Sequence, residues 1–307
     1  MLSLIIPLFN REDFILSTLE SIRHQSDPNW ECVIIDDGSK DNSYNLVLDY
    51  IKNDSRFVLL KRPSNHKAGG NGARNYGFKQ TKGDYVNFID SDDILHPDFV
   101  KYKLKAISDC KADVVISKTM ITSLDINEIL IYEERTRLTD SLLDDFITLK
   151  VSWYIVDPIW KKQFLMDKKL FDEDLLKEQD RDFHIRMLLE NPKIQILDKY
   201  LYYYRTNPTS ISTNMSQNTA LSILRVGIKR NALLLKNNLS DTTHFFVYRQ
   251  MIRLYPLVYK SEKIHTIYFR VICKFFKFKK RYLIMNIKFF IAIISFKLFG
   301  KGERILK

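Results

Sequence analysis

Three aspartates lie within a four-residue stretch, Asp90, Ser91, Asp92 and Asp93, which directly follows a strand-like run at 85–89. Carboxylates this close repel one another unless a cation lies among them. Oxygen ligands suit Mg²⁺ or Mn²⁺, which typically combine one or two carboxylates with phosphate oxygens of a substrate. Such a site could neutralise a diphosphate leaving group. Taken alone, the motif favours a simpler interpretation, a turn followed by a helix cap.

A second acidic pair, Asp36 and Asp37, closes the apolar run 33–35 and precedes Gly38. A carboxylate in this position could hydrogen-bond a nucleobase or a ribose. The alternative is a turn in which Gly38 has a positive φ and Asp41 caps the next helix. This segment alone is compatible with both.

A glycine-rich stretch at 69–72 is flanked by Lys67 and Arg74. It lacks the Lys-Ser/Thr of a P-loop and the spacing of a dinucleotide fingerprint. A flexible backbone beside cations suits a phosphate group, but a plain surface loop explains the composition equally well.

A third acidic group, Glu178, Asp180 and Asp182, opens a segment with helical spacing of its apolar residues. Acidic residues are common in a first helical turn because they complement the helix dipole. A carboxylate held there could instead serve as a general base that deprotonates an acceptor hydroxyl.

Strand and helix patterns alternate over the first 120 residues, which predicts βαβ units and a mostly parallel sheet flanked by helices. Ligands of such sheets bind beyond the carboxyl ends of the strands, where two of the acidic clusters stand. We expect a catalytic domain at 1–215, less regular after 120, and a helical region at 216–307. The predicted strands are 2–8, 31–35, 57–60, 85–89 and 114–117, and the predicted helices are 13–25, 41–52, 97–110 and one from about 73.

The chain has 307 residues, 45% of them hydrophobic and 28% charged, which is an ordinary globular composition. Its three cysteines form no CxxC motif, so a disulfide framework or zinc site is not expected, and a reducing compartment fits. The first residues read as a strand and not as a signal peptide. No run of about 18 uninterrupted apolar residues is present, so no transmembrane helix is predicted.

The whole net charge of +11 lies in the tail, since 257–307 holds 13 Lys or Arg and two Glu while the rest is neutral. Aromatic and aliphatic residues alternate with these cations over 264–299. That pattern favours an interfacial helix on an anionic membrane, where each basic residue adds about 1 kcal/mol of attraction. A helical subdomain with solvated lysines is the plainer alternative. Nucleic acid is the least favoured partner, because continuous Ile, Leu and Phe suit lipid.

Together and in this order, several segments closely resemble the family 2 glycosyltransferases. They are 4–10, 21–25, 34–39, 72–77, 82–85 and 88–93. The match is dense over about 1–120, continues more thinly at 179–183 and 204–212, and does not include the tail. The resemblance implies the A-type glycosyltransferase fold, a Rossmann-like α/β domain, and transfer of a hexosyl or N-acetylhexosaminyl group from a nucleotide sugar, with UDP expected.

The resemblance also implies site residues. Pro7 and Phe9 would line the nucleobase pocket with Phe9 stacked on the base, Glu12 would lie near the nucleotide, and Asp37 would bind uracil with Asp36 nearby. The phosphate end would combine acidic ligands of a Mn²⁺ or Mg²⁺ ion and of the ribose with two cations. Those residues would be Asp90, Ser91, Asp92, Asp93, Lys67 and Arg74.

Asp180 would be the catalytic base. The family often has Glu-Asp there, whereas Gln179 precedes Asp180 in this chain, so Glu178 and Asp182 stay as alternatives. A histidine often follows the family's Tyr-Arg pair. This chain has Thr-Asn there, so a histidine contribution to the diphosphate would be missing or filled by Arg205.

The implied reaction is a single displacement with inversion, in which an α-linked donor yields a β-linkage. The acceptor would be a glycan or lipid-linked saccharide of a surface polysaccharide, at the cytoplasmic, inner face of the cell membrane. A non-catalytic nucleotide-sugar binder is disfavoured because Asp37, Asp90, Asp92 and Asp180 are intact. A nucleotidyltransferase would normally show a glycine-rich amino-terminal loop, which this chain lacks. A processive synthase is disfavoured by the missing QxxRW motif and by the lack of predicted spanning helices.

Overall fold

The sheet grows outward from an amino-terminal strand that is apolar at almost every position. The computed structural model describes residues 1–206, 215–237, 239–261 and 264–306. In it, β1 (Leu2–Leu8) pairs in parallel with β2 (Trp30–Asp36) and with β4 (Tyr85–Phe88). β3 (Phe57–Lys61) continues the parallel half beside β2. Near-continuous hydrophobic runs are typical of strands covered on both faces, as the sequence predicts here.

Helices α1 (Ile15–Arg23), α2 (Ser43–Ile51) and α3 (Gly70–Gln80) connect these strands. The helix predicted from about 73 begins at Gly70, so most of the glycine-rich stretch is helical. Glycine is needed because Gly69 has φ +122° and because a Cβ at Gly72 would lie 2.0 Å from a backbone oxygen.

The second half of the sheet is mixed. The remaining elements of this half are β5 (Ile94–Leu95), α4 (Phe99–Cys110), β6 (Val114–Thr122), β7 (Ile129–Tyr132), β8 (Pro158–Lys161), α6 (Lys162–Leu165), α7 (Gln179–Leu188) and β9 (Ile194–Arg205). Within the described residues the strand order is β3-β2-β1-β4-β8-β6-β9-β5, with β7 paired to β6. β8 runs antiparallel to β4 and β6, whereas β9 runs parallel to β6. The region after 120 is therefore more regular than its composition predicts.

Two units divide the chain. The sheet unit contains 1–142, 150–173 and 179–211, and the helical unit contains 143–149, 174–178 and 212–307. Two short segments from the expected catalytic region thus fold with the helical unit. α5 (Leu142–Ile147) lies at the first of these divisions.

The helical unit contains α8 (Gln217–Leu234), α9 (Asp241–Arg253), α10 (Tyr255–Val258), α11 (Ile264–Phe275) and α12 (Lys280–Phe299). Ser216 and Ser240 cap α8 and α9 by accepting backbone N–H bonds at 3.1 and 3.2 Å. α12 has 20 residues and is long and apolar enough to cross a membrane by length and composition. It contains no uninterrupted apolar run of about 18 residues, because Asn286, Lys288, Ser295 and Lys297 lie among its apolar residues.

Two glycines make a matched stability test. A Cβ at Gly77 would meet Ile5 Cγ2 at 2.6 Å and Ile35 Cγ1 at 3.1 Å, whereas a Cβ at Gly227 in α8 meets nothing within 4 Å. Gly77→Ala should cost about 1–3 kcal/mol by overpacking α3 on the sheet. Gly227→Ala should stabilise by about 0.5–1 kcal/mol. Urea unfolding of both variants checks this, and a Gly77→Ala protein as stable as the wild type would contradict it.

Candidate active site

Two guanidinium groups meet the Asp90 and Asp92 carboxylates beyond the carboxyl ends of β1 and β4. Arg74 Nη2 donates to Asp90 Oδ1 at 2.6 Å, and Arg11 Nε donates to Asp92 Oδ2 at 3.1 Å. Burial, and then the charge of Asp90, raise the pKa of Asp92 in spite of Arg11. The pairing with Arg11 therefore offsets only part of the cost of burying a charged Asp92.

Arg11 is a site residue that the sequence analysis did not identify. It follows Asn10, which has a positive φ of 50° at the end of β1. β1 and β4 are parallel neighbours, so the segments that follow them emerge side by side. A basic residue just after β1 is the signal that could have pointed to it.

Asp93 faces away from the other two aspartates. It is 1% exposed, and its carboxylate accepts hydrogen bonds from the Tyr202 hydroxyl at 2.9 Å and from the Arg205 N–H at 2.8 Å. Burial, followed by the charges of Asp92 and Asp90, raises the pKa of Asp93 well above its ordinary value. This geometry favours a brace between the aspartate loop and β9 over the metal-ligand role that the resemblance implies.

Arg205 is turned to the back of the same loop. Its Nε donates to the Asp92 carbonyl at 2.5 Å and its Nη1 donates to Ser17 Oγ at 2.9 Å. The Ser91 carbonyl accepts the Thr18 hydroxyl at 3.3 Å, so α1 holds this loop as well. Arg205 therefore fixes the aspartate loop through these two hydrogen bonds.

At the carboxyl end of β2, where the resemblance implies a nucleobase site, Asp36 and Asp37 have different surroundings. Asp36 accepts the N–H groups of Gly38 and Ser39, both at 3.2 Å, so for this residue the turn interpretation holds. Asp37 accepts bonds from Arg62 Nε and, at 2.6 Å, from the Gly69 N–H. Asp37 thus ties the end of β2 to the segment before α3, and Arg62 is a second residue absent from the sequence prediction.

Three further residues that the resemblance implies, Phe9, Glu12 and Pro7, have different surroundings at this edge. The Phe9 ring is 44% exposed just after β1, available for stacking. Glu12 instead uses its carboxylate to accept the Asn42 N–H at 2.9 Å at the start of α2. Pro7 lies in β1 opposite Ile35 of β2.

Glu173 fixes the segment around Lys67. It accepts the Lys67 backbone N–H at 2.7 Å and an Asn75 side-chain bond at 2.9 Å, and His66 Nδ1 lies 2.8 Å from its carboxylate. Burial raises the pKa of Glu173, but the bonds from Asn75, His66 and Lys67 together outweigh burial and leave it lowered. The Lys67 residue is exposed beside this anchored backbone.

Asp180 lies in the first turn of α7. Burial raises its pKa to about 6, while Arg74 lowers it and Asp90 raises it, so Asp180 interacts electrostatically with the Arg74–Asp90 pair. Asp182 is instead paired with Arg186 at 2.8 Å and is 1% exposed, which leaves it unsuited to a base. Glu178 belongs to the segment that folds with the helical unit.

A buried polar cluster holds the loop that supports Asp180. The Ile155 N–H bonds to Asp180, and the neighbouring Tyr154 N–H donates to the Asp157 carboxylate at 2.7 Å. The Thr119 hydroxyl also donates to Asp157, at 2.6 Å, and Lys103 Nζ donates to its carbonyl. Burial raises the pKa of Asp157 to about 6 and lowers that of Lys103 to about 7. This cluster fixes the backbone segment whose Ile155 N–H donates to Asp180.

The carboxylates fit a divalent ion only in combination with a substrate. In the part of the chain that the structure describes, no three His, Cys, Asp or Glu side chains converge on one point. Asp90 and Asp92 supply two oxygen ligands, and Mg²⁺ usually combines that number with phosphate oxygens. The donor set therefore suits a metal completed by a diphosphate.

The sequence profile described as "Glycosyl transferase family 2" matches residues 3–175, which is more than half of the chain. The match includes the acidic clusters at 36–37 and 90–93 and ends before the acidic group at 178–182. The chain belongs to glycosyl transferase family 2. The fold and membership that the resemblance implies are thereby confirmed.

Relatives and solved structures agree with this membership. The uncharacterized glycosyltransferase EpsJ of Bacillus subtilis is 28% identical over 69% of this chain and 63% of its own length. Poly(ribitol-phosphate) β-N-acetylglucosaminyltransferase TarS of Staphylococcus aureus is 29% identical over 66% of this chain and 35% of its own. The structure of S. aureus TarS 1-349 with UDP-GlcNAc superposes with a TM-score of 0.64 at 19% identity, covering 99% of this chain and 89% of that one.

A mannosyltransferase of Pyrobaculum calidifontis, solved with GDP-Man and Mn²⁺, has a TM-score of 0.58 at 13% identity and covers 98% of this chain and 87% of that one. At such identity these structures show the shared fold. The chain spans less than two thirds of EpsJ and about a third of TarS.

The raised pKa of Asp180 gives a testable stability effect. Above about pH 6 the buried carboxylate is charged and destabilises the native state, whereas below its ordinary value of 3.8 it is protonated in both states. Asp180→Asn should therefore raise the melting temperature at pH 8 and lose this advantage as pH falls towards 4. Differential scanning calorimetry across this pH range checks it. A variant that melts lower than the wild type at pH 8 would contradict the prediction.

Proposed function

We propose that this protein is an inverting glycosyltransferase that moves a sugar from a UDP-sugar to a hydroxyl of a glycan or lipid-linked saccharide. One observation carries the proposal: Asp180, with a pKa raised to about 6, interacts electrostatically with Arg74 and Asp90 of the phosphate end. A base poised near neutral pH beside a diphosphate site suits acceptor deprotonation and leaving-group stabilisation in one step.

The positions of these side chains support a single displacement as the proposed reaction. Asp180 accepts the proton of the acceptor hydroxyl while the oxygen forms a bond to the anomeric carbon and the bond from that carbon to the diphosphate breaks. Attack from the face opposite the diphosphate inverts the anomeric centre. Arg74 holds Asp90 and contributes positive charge beside the departing group. A Mn²⁺ or Mg²⁺ ion held by Asp90 and Asp92 would supply further charge to the diphosphate.

The donor class is proposed from the nucleobase end and from the relatives. Phe9 offers an exposed ring for stacking on a base, and the Asp37 carboxylate is held nearby in the chain's polar edge by the Gly69 N–H. UDP-GlcNAc is the ligand in the TarS structure, which favours UDP and an N-acetylhexosaminyl group. TarS is named for transfer to poly(ribitol phosphate), and that favours a cell-surface polymer as acceptor.

Binding and turnover should separate the two ends of this site. With Mn²⁺, UDP should bind Asp92→Asn at least about tenfold more weakly than wild type because a metal ligand is lost. Asp180→Asn should bind UDP normally and lose about 10²–10⁴ of the transfer rate. Calorimetry with UDP, together with release of UDP from UDP-GlcNAc in the presence of an acceptor, measures both.

Asp49→Asn is the matched control, because this exposed carboxylate pairs with Lys52 on α2. It should leave both binding and turnover unchanged. The donor-site assignment is wrong if UDP binds Asp92→Asn as tightly as wild type. The base assignment is wrong if Asp180→Asn keeps full turnover.

We also propose that α12 rests on an anionic membrane surface. One face of the helix is buried in the helical unit, through Tyr282, Met285, Phe289, Ala292 and Phe296. The opposite face is apolar and exposed, with Leu283, Ile287, Phe290, Ile294 and Leu298 between 48% and 68% exposed. Exposed apolar faces of this size mark interaction sites.

The two faces together favour a helix that lies on the bilayer over one that crosses it. If α12 crossed the membrane, either the rest of the helical unit would be drawn into lipid, or the buried face of α12 would have to leave the core of that unit. Exposed Lys280, Lys288 and Lys297 on the same helix suit anionic headgroups. This placement, at the inner face of the cell membrane, would bring the site to a lipid-linked acceptor.

Vesicle flotation tests the membrane surface. The protein should float with phosphatidylglycerol vesicles and much less with phosphatidylcholine vesicles. Serine at Ile287, Phe290 and Ile294 should abolish flotation by removing the apolar contact. Serine at Leu48, Leu124 and Leu138 is the control, since these sheet-unit residues are equally exposed. Flotation that survives the α12 substitutions would refute the assignment, and a dimer that they dissociate would identify the face as a self-association surface.

A further inference from the structure

Arg11 bridges two loops of the sheet unit that are far apart in sequence. Its backbone N–H donates to Ser43 Oγ at 2.7 Å, which fixes the chain after β1 against the start of α2. Its guanidinium reaches across to Asp92 Oδ2 at 3.1 Å, and Nη1 donates to the Asn10 carbonyl at 3.0 Å. The backbone is anchored by Ser43, and the side chain links this loop to Asp92.

The two arginines of the site differ in how firmly they are held. The Arg74 side chain is 9% exposed, and its guanidinium carbon lies 5.6 Å from the centre of the Phe171 ring. Arg74 is therefore a fixed counterion. The Arg11 side chain is 25% exposed, and the Asp92 side chain with which it pairs is 27% exposed. The Arg11 guanidinium can therefore move away from Asp92 without disrupting buried packing.

Charge balance suggests what happens at Asp92. Arg11 and Arg74 already match the charges of Asp92 and Asp90, one against one. A divalent cation added alone would leave an excess of positive charge and would have to compete with Arg11 for Asp92. A diphosphate arriving with the cation restores the balance and offers the released guanidinium a bidentate partner.

We propose that Arg11 is a donor-binding residue that exchanges partners: the divalent ion takes Asp92 from it, and its guanidinium then binds the donor diphosphate. This inference rests on the proposed donor site and adds a coupling to it. The metal ion and the nucleotide each bind weakly alone, and each increases the affinity for the other. The ion frees Arg11 for the diphosphate, and the diphosphate draws Arg11 away from Asp92. By thermodynamic linkage, UDP must increase the affinity for Mn²⁺ by the same factor as Mn²⁺ increases the affinity for UDP.

The test measures Mn²⁺ binding by electron paramagnetic resonance and UDP binding by calorimetry, each with and without the other ligand. In the wild type, UDP should tighten Mn²⁺ binding about tenfold or more. In Arg11→Gln, Mn²⁺ alone should bind more tightly than in the wild type, whereas UDP with Mn²⁺ should bind about tenfold more weakly. In this variant, UDP should tighten Mn²⁺ binding by less than about threefold.

Two variants and a melting curve keep the result interpretable. Arg11→Lys keeps the positive charge but loses the bidentate hydrogen-bonding geometry of the guanidinium. The lysine should still compete with Mn²⁺ for Asp92, and it should recover only part of the UDP affinity that Arg11→Gln loses. Arg56→Gln removes a guanidinium paired with Asp54 on another loop and should change nothing at the site. Melting temperatures confirm that each variant is folded.

The outcomes separate this inference from the proposed function. If Arg11→Gln weakens Mn²⁺ and UDP alike, or leaves the coupling intact, Arg11 is a static brace and the exchange is refuted while the donor site stands. If the wild type binds no UDP under any metal condition, both the donor site and the exchange are refuted.

Discussion

Like charges collected at one edge of the sheet are the constraint on which this site depends. The charge of Asp90 raises the pKa of both Asp92 and Asp180, and burial makes this repulsion stronger than it would be in water. Arg74 offsets part of this by pairing with Asp90 and lowering the pKa of Asp180. Burial, partly offset by Arg74, raises the pKa of Asp180 to about 6, and burial together with the charge of Asp90 raises the pKa of Asp92.

Much of the surrounding polar structure serves to hold these charges in place. Asp93 and Arg205 fix the aspartate loop from behind, each through two or more hydrogen bonds. Asp157 and Lys103 fix the loop whose N–H faces the base. Such buried networks cost free energy to form unless every member is satisfied. Rigid positioning of reacting groups is what catalysis gains from them.

The sequence predicted the parts that depend on local patterns. Apolar runs identify β1, β2, β3 and β4, and the acidic residues that follow β2 and β4 stand at the expected edge. It could not show which acidic residues face the site, because that depends on partners far along the chain. Arg11 and Asp92 are 81 positions apart, and Glu173 lies 106 positions from Lys67. Asp93, predicted as a ligand, turns towards Tyr202 because β9 pairs beside β5.

A crystal structure of the protein with UDP and Mn²⁺ tests the central claim most directly. The account predicts one continuous site in which Mn²⁺ bridges the diphosphate and at least one of Asp90 and Asp92, the uracil lies between Phe9 and Asp37, and the Asp180 carboxylate faces the open side where an acceptor would enter. Mn²⁺ bound away from the aspartate pair, or a diphosphate with Asp180 facing away from it, would contradict the account.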